Sequence, residues 1–338
     1  MTSALLAAVV VTALVMAYVN GFHDASNAVS TTIATRTLRE SKALAMAALL
    51  NVLGALLGMG LLVITAQWAV RLLGMAPLAE ATAGDPDRLG LALLAIMLTT
   101  IGWDLLTWWW GMPASTWHAF FGATLGVTLG LGAAAAWGLL GSLLIVSLVG
   151  PVLSAGLAFV LMHGLLRLGR HERLQRGHLR FAQTLSAGAV ATGHGINDSR
   201  LPLAAIAIAA TADGSSATQL LPIMASVAIA IGAGTLMGGH RIIRTLGRRL
   251  TDLTVAQGLA AEVSAATTMS LSLFGLSSPI STSHALASSV VGAGAAKGLR
   301  NVRWRVALQV VLTWLVTPLA TAVVGAALIA LALEAVAP

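Results

Sequence analysis

The chain has 338 residues, 57% of them hydrophobic and only 9% charged, with a formal net charge of +7. Soluble domains carry about 25% charged residues, so this composition excludes a soluble domain and points to a polytopic membrane protein. No cysteine is present, which removes disulfides, thiolate catalysis and Cys-ligated metals. The basic residues lie in short runs between apolar blocks, the pattern that orients membrane proteins and not one that binds nucleic acid.

In chain order, apolar blocks cover roughly 3–35, 43–66, 89–110, 114–131, 133–166, 182–211, 217–238, 253–275, 280–296 and 306–333. They are too long and too uniformly apolar for barrel strands, so the class is all-α. The N-terminal block lacks a positive n-region and reads as a retained membrane segment. At about 33 residues it is too long for one straight crossing, and Asn20-Gly21 is the expected break. The block 133–166 is expected to bend at Gly150-Pro151. The pairs 89–110/114–131 and 253–275/280–296 are expected to form helical hairpins. "TWWW" at 107–110 reads as an interfacial belt or a packing surface.

Arg36–Lys42, Arg167–Arg180, Arg241–Arg249 and Lys297–Arg305 are basic, whereas 80–88 and 211–216 are acidic or neutral. The positive-inside rule places the first set in the cytoplasm. The block holding "NGFHDASNA" at 20–28 then runs inward, and the one holding "GHGINDSRLP" at 193–202 runs outward. Each is followed by a second motif. Pro113, Ser115, Thr116 and His118 align with Pro279, Ser281, Thr282 and His284. Two inverted-topology repeats with broken helices follow, 1–166 and 182–338, joined by a basic cytoplasmic loop at 167–181. Secondary transporters are built this way, with the binding site near the midplane.

Asp24 and Asn27 share one helix face. An intramembrane Asp costs at least about 2.5–3.5 kcal/mol, so Asp24 and Asp198 need a partner or a cation. A structural hydrogen bond is the bland alternative; repetition of an Asn-Asp pair at Asn197-Asp198 favours function. Ser115, Thr116, Ser281 and Thr282 could simply bond their own helices. Beside Pro at a helix start, in two copies, they read as an anion site. His118 and His284 are either core histidines or proton carriers. His23, Asp24, His118, His194, Asp198 and His284 could also ligate a metal, though no H-x-x-x-H or E-x-x-H pair gives a preformed helix-face site.

These motifs resemble the inorganic phosphate transporter (Pit) family. "NGFHDASNAVSTTIATRTL", "HGIND", "WDLLTWWWGMPASTWHAFFG", "SSPISTSHALASSVVGAG" and "WRVALQVVLTWLVTPLATA" look like its signatures, in order, over nearly the whole chain. The resemblance implies cation- or proton-coupled phosphate uptake and a homodimer in a bacterial cytoplasmic membrane. Two departures fall where substrate should bind: Ser199-Arg200-Leu201 after the second Asp, and Trp117 where a hydroxyl residue normally precedes the His.

The expectation is therefore a transporter and not an enzyme, with no cofactor beyond a coupling H+ or Na+. Asn27, Asn197, Arg200 and the four hydroxyl residues face substrate; Asp24, Asp198, His23, His118 and His284 serve coupling. Ser26 and Thr31 are candidate oxygens for Na+. Arg200 faces the cavity or pairs with a carboxylate such as Glu262. The alternatives are a permease for sulfate or another oxyanion, a divalent-metal carrier, and an intramembrane hydrolase using Asp24 and Asp198, which lacks any nucleophile motif.

Overall fold

The computed structural model describes residues 1–64, 75–169, 175–214, 221–275 and 280–336, and these are almost entirely helical. The helices are α1 Ser3–Ala34, α2 Glu40–Ile64, α3 Ala76–Ala81, α4 Pro86–Trp110, α5 Thr116–Gly130, α6 Trp137–Gly169, α7 Arg176–Asp198, α8 Arg200–Ala212, α9 Leu221–Met237, α10 His240–Arg244, α11 Val255–Gly275, α12 Thr282–Ala295 and α13 Trp304–Ala335. Among the described residues five helices are long and apolar enough to cross a membrane, or six if the bent α9–α10 run counts as one.

One expectation about a break is corrected. α1 is one uninterrupted helix, with no break at Asn20-Gly21. Gly21 is used for contact instead: a Cβ there would strike the backbone carbonyl of Ile231 on α9. The block 182–211 is broken at Ser199. Pro202 supplies the cause, since it has no N–H for the Asp198 carbonyl four residues back. α6 continues through Pro151 without interruption. The basic segment Arg241–Arg249 is also helical, as α10 followed by a π-turn over Thr245–Arg249, and it meets α9 at 53°.

The helices pack in matched pairs. α1 lies on α9 as α7 lies on α2, and α5 lies on α13 as α12 lies on α6. α4 packs beside α1 and α13 as α11 packs beside α7 and α6. Glycines permit the closest approaches: Gly21 on α9 and Gly195 on α2, then Gly126 on α13 and Gly292 on α6, each with a carbonyl where its Cβ would stand. Close helix contact through small residues is how helices associate in lipid, where apolar burial between them gains little. The outward stripes stay apolar. On α13, Leu308, Leu312, Leu315, Leu319 and Val323 are exposed, as are Leu144, Leu148, Val152 and Val160 on α6. Lipid suits such faces and water does not. The chain is thus an all-helical, multi-pass membrane protein.

Candidate functional site

The polar half of α1 is buried, from Asn20 to Thr32. It faces α7 at the level where that helix stops. Asp24, His194 and Asp198 meet there, each able to offer a ligand atom within 4.8 Å of the others. His194 Nε2 lies 3.1 Å from Asp198 Oδ2 and 3.7 Å from Asp24 Oδ2. Its other nitrogen, Nδ1, is 3.1 Å from Asn51 Oδ1, and the Asn51 amide donates to Thr235 at 2.8 Å. That orientation of Asn51 makes Nδ1 the donor. A neutral ring would then turn a lone pair toward two carboxylates. The arrangement calls for positive charge at that point, either a proton on Nε2 or a bound cation.

His23 Nδ1 donates to Asp24 Oδ1 at 2.7 Å, and its Nε2 lies 3.1 Å from the Thr107 hydroxyl. Ser283 donates to the same Asp24 oxygen at 3.3 Å, and Asn27 donates to Ser283 at 2.8 Å. Asp198 accepts from the Asn20 amide at 3.3 Å and from the Trp117 indole at 2.9 Å. Buried oxygens of Asn20, Asn27, Asn197 and Thr282 have no hydrogen-bond partner among the described residues. Buried polar groups are normally satisfied, so oxygens left open around one cluster suit a ligand.

Both hairpin tips reach this cluster. Ser115 and Ser281 cap α5 and α12, accepting from the backbone N–H of His118 and His284. Thr116 donates to Asp104 at 2.9 Å, so its hydroxyl is turned toward a buried acid on α4. The rings of His118 and His284 stack at 4.7 Å with 14° between planes, bringing the two tips together. His118 is bonded to Ser147, and His284 lies against the Trp314 ring at 4.0 Å. Trp314 in turn donates to the Pro113 carbonyl at 2.9 Å. Asn197 donates to the Ile280 carbonyl at 3.3 Å. Pro279 lies outside the described residues.

Several expected site residues stand elsewhere. Thr31 donates to Glu262, and Ser26 bonds the His23 carbonyl, so neither offers its hydroxyl to Asp24. Glu262 is held by Thr31 and Ser186, the latter at 3.2 Å, and no bond joins it to Arg200 among these. Arg200 is buried at the first turn of α8, two residues past Asp198. The tryptophan run serves packing: the Arg241 guanidinium sits 4.2 Å over the Trp109 ring and donates to its carbonyl at 2.8 Å. Asn51, Asp104 and Ser283 carry no role in the sequence alone, and Asn20 only that of a helix break. Asp104 carried a signal, being an acid inside an apolar block.

Comparisons with known proteins identify the family and the fold. The model of a phosphate transporter family matches residues 20–178 and 170–325. A probable low-affinity inorganic phosphate transporter of Mycobacterium bovis is 36% identical over 95% of this chain and 76% of its own length. Those of Rhizobium meliloti and Bacillus subtilis are 32% and 29% identical, each match spanning at least 94% of both chains. A solved structure, titled the sodium-dependent phosphate transporter, superimposes with a TM-score of 0.76 over 99% of this chain and 100% of its own, at 21% identity. Fold, motifs and relatives converge: the chain belongs to the phosphate transporter family.

Proposed function

We propose that this protein carries inorganic phosphate across the membrane together with a cation. One observation carries the reading: two capped helix N-termini converge on a pair of carboxylates that share one imidazole. Helix N-termini offer free N–H groups and favour an anion. Carboxylates beside the same anion repel it. The site can hold phosphate only when a positive charge stands between, and this requirement is the coupling. A dianion in a dry site with uncompensated Asp24 and Asp198 would be strongly disfavoured, so substrate and cation enter and leave together. In this reading Ser115, Thr116, Ser281, Thr282, Asn197 and Arg200 serve the oxyanion, while Asp24, Asp198 and His194 serve the countercharge. The matched packing of the halves 1–166 and 182–338 supports an inverted repeat, with alternate exposure of the site to the two sides. All these residues come from one chain, so the homodimer that the family resemblance implies adds none of them.

His23 and His194 beside the carboxylates favour a proton as the coupling ion. The close grouping of Asp24, His194 and Asp198 favours a second reading, in which a divalent metal and phosphate cross as one neutral complex. Purified protein in liposomes, given labelled phosphate under an imposed proton or Na+ gradient, tests both. We expect phosphate accumulation with a proton gradient alone. Accumulation that requires Mg2+ and carries it in parallel establishes the complex instead. A strict Na+ requirement removes the proton reading. Sulfate uptake without phosphate uptake reassigns the substrate, and no uptake under any gradient overturns the function.

A further inference from the structure

The two hairpin tips make the same contact on opposite carboxylates, but with different chemistry. The residue before the tip histidine is Ser283 in the second hairpin and Trp117 in the first. Ser283 reaches Asp24 at 3.3 Å, and Trp117 reaches Asp198 at 2.9 Å. A second position differs in the same direction. Three residues past Asp24 stands Asn27; three past Asp198 stands Leu201, and both are buried. Around Asp24 there are thus a carboxylate, a hydroxyl and an amide oxygen beside the His23 imidazole, and the Asn27 oxygen has no partner among the described residues. Oxygen sets of this kind receive hard cations. At the matching positions of the other half stand an indole N–H, which is a donor without a lone pair, and an alkyl chain, and the open oxygen nearest Asp198 is that of Asn20. The indole occupies Asp198 Oδ1, while Oδ2 receives the Asn20 amide and faces His194.

We propose that this chain has one cation-accepting half-site, at Asp24, Asn27 and Ser283, and that Trp117 and Leu201 close the corresponding half-site at Asp198. The Trp117 indole on Asp198 has no lone pair to give a cation, whereas the Ser283 hydroxyl on Asp24 keeps one. Trp117 and Leu201 are then residues that set the stoichiometry, lowering the number of cations moved per phosphate. The inference rests on cation-coupled phosphate uptake as proposed above and concerns only the count of ions.

The experiment reconstitutes the full chain and measures tracer phosphate uptake against the concentration of whichever cation, Na+ or H+, drives the native protein, together with the cation flux. The native protein is expected to respond with a Hill coefficient of about 1. The double variant Trp117→Ser/Leu201→Asn restores to Asp198 the groups that Asp24 has, and its coefficient is expected to rise toward about 2 with a matching rise in cations per phosphate. A native coefficient near 2, or a folded and active double variant with the native ratio, overturns the inference. Should the double variant not fold, Asn27→Leu decides: it removes the open oxygen from the accepting half and is expected to cut cation-driven accumulation at least about tenfold. Accumulation within about twofold of native in Asn27→Leu also overturns the inference. If the native protein responds to neither cation, the coupled-uptake reading has failed before the count is at issue.

Discussion

Two buried acidic regions lie on the same pair of helices. Asp24 on α1 and His194 on α7 belong to the first, and Thr31 on α1 and Ser186 on α7 to the second, about two turns away. In the first, carboxylates are met by imidazoles, an indole, amides and a hydroxyl, and several oxygens stay open. In the second, the Glu262 carboxyl is met by the hydroxyls of Thr31 and Ser186 and ties α1, α7 and α11 together. Nearby, Gln183 collects the hydroxyls of Thr35 at 3.1 Å and Thr37 at 2.6 Å. The same residue type therefore serves two ends. Where partners carry charge and leave oxygens open, the acid can exchange a ligand; where hydroxyls close around it, the acid is a joint.

The sharpest way to break this comparison is Asp24→Asn. It leaves His194 and His23 facing a neutral amide, and unbalancing a buried charged cluster costs about 3–5 kcal/mol. Uptake in liposomes is expected to fall at least about 100-fold with the protein still folded. A loss under about tenfold would show Asp24 to be one more joint. Glu262 should respond in stability instead. Glu262→Leu orphans two hydroxyls and should lower unfolding stability by about 2–4 kcal/mol, whereas Glu262→Gln keeps an acceptor and should lose less than about 1 kcal/mol. Thermal unfolding in detergent measures both, and equal losses would erase the distinction drawn for the second region. The smallest effect is expected for Ser186→Ala, at about 1 kcal/mol in the same assay, with uptake per folded molecule unchanged. A transport defect there would move the second region into the working site.

Much of the architecture was legible because lipid imposes simple rules. Apolar block length gave the helices, and buried Asp residues stood out against an apolar background. The two tip motifs were found by their repetition. Local backbone behaviour was harder. Asn20-Gly21 reads as a break because glycine loosens a helix, but Gly21 is a site of helix contact, a fact that depends on residues far off in the chain. The real interruption follows from Pro202, and the missing donor could have been counted back to Asp198. Trp117 was visible as a departure, yet its use could not be read. Its contact with Asp198 spans 81 residues and shows its meaning only beside Ser283, which reaches across 259 residues to Asp24. Asn20 and Asn51 were hidden for the same reason, since they are ordinary polar residues until the helices cross.

The backbone seams at Gly21, Gly195, Gly126 and Gly292 have a mechanical consequence. A helix resting directly on a neighbour's carbonyls cannot slip along it by a turn, because the next residue presents a Cβ at the same height. Two seams fuse α1, α2, α7 and α9, with α2 also packed on α9, into a frame. The other two fuse α5 to α13 and α12 to α6, making a pair of levers. Frame and levers touch through side chains: Ser283 to Asp24 and Trp117 to Asp198. Such contacts re-form after small rotations, as interlocked backbones do not. On the proposed function these contacts lie among the ligand-binding groups, so an occupant of the centre also sets the stiffness of the joints.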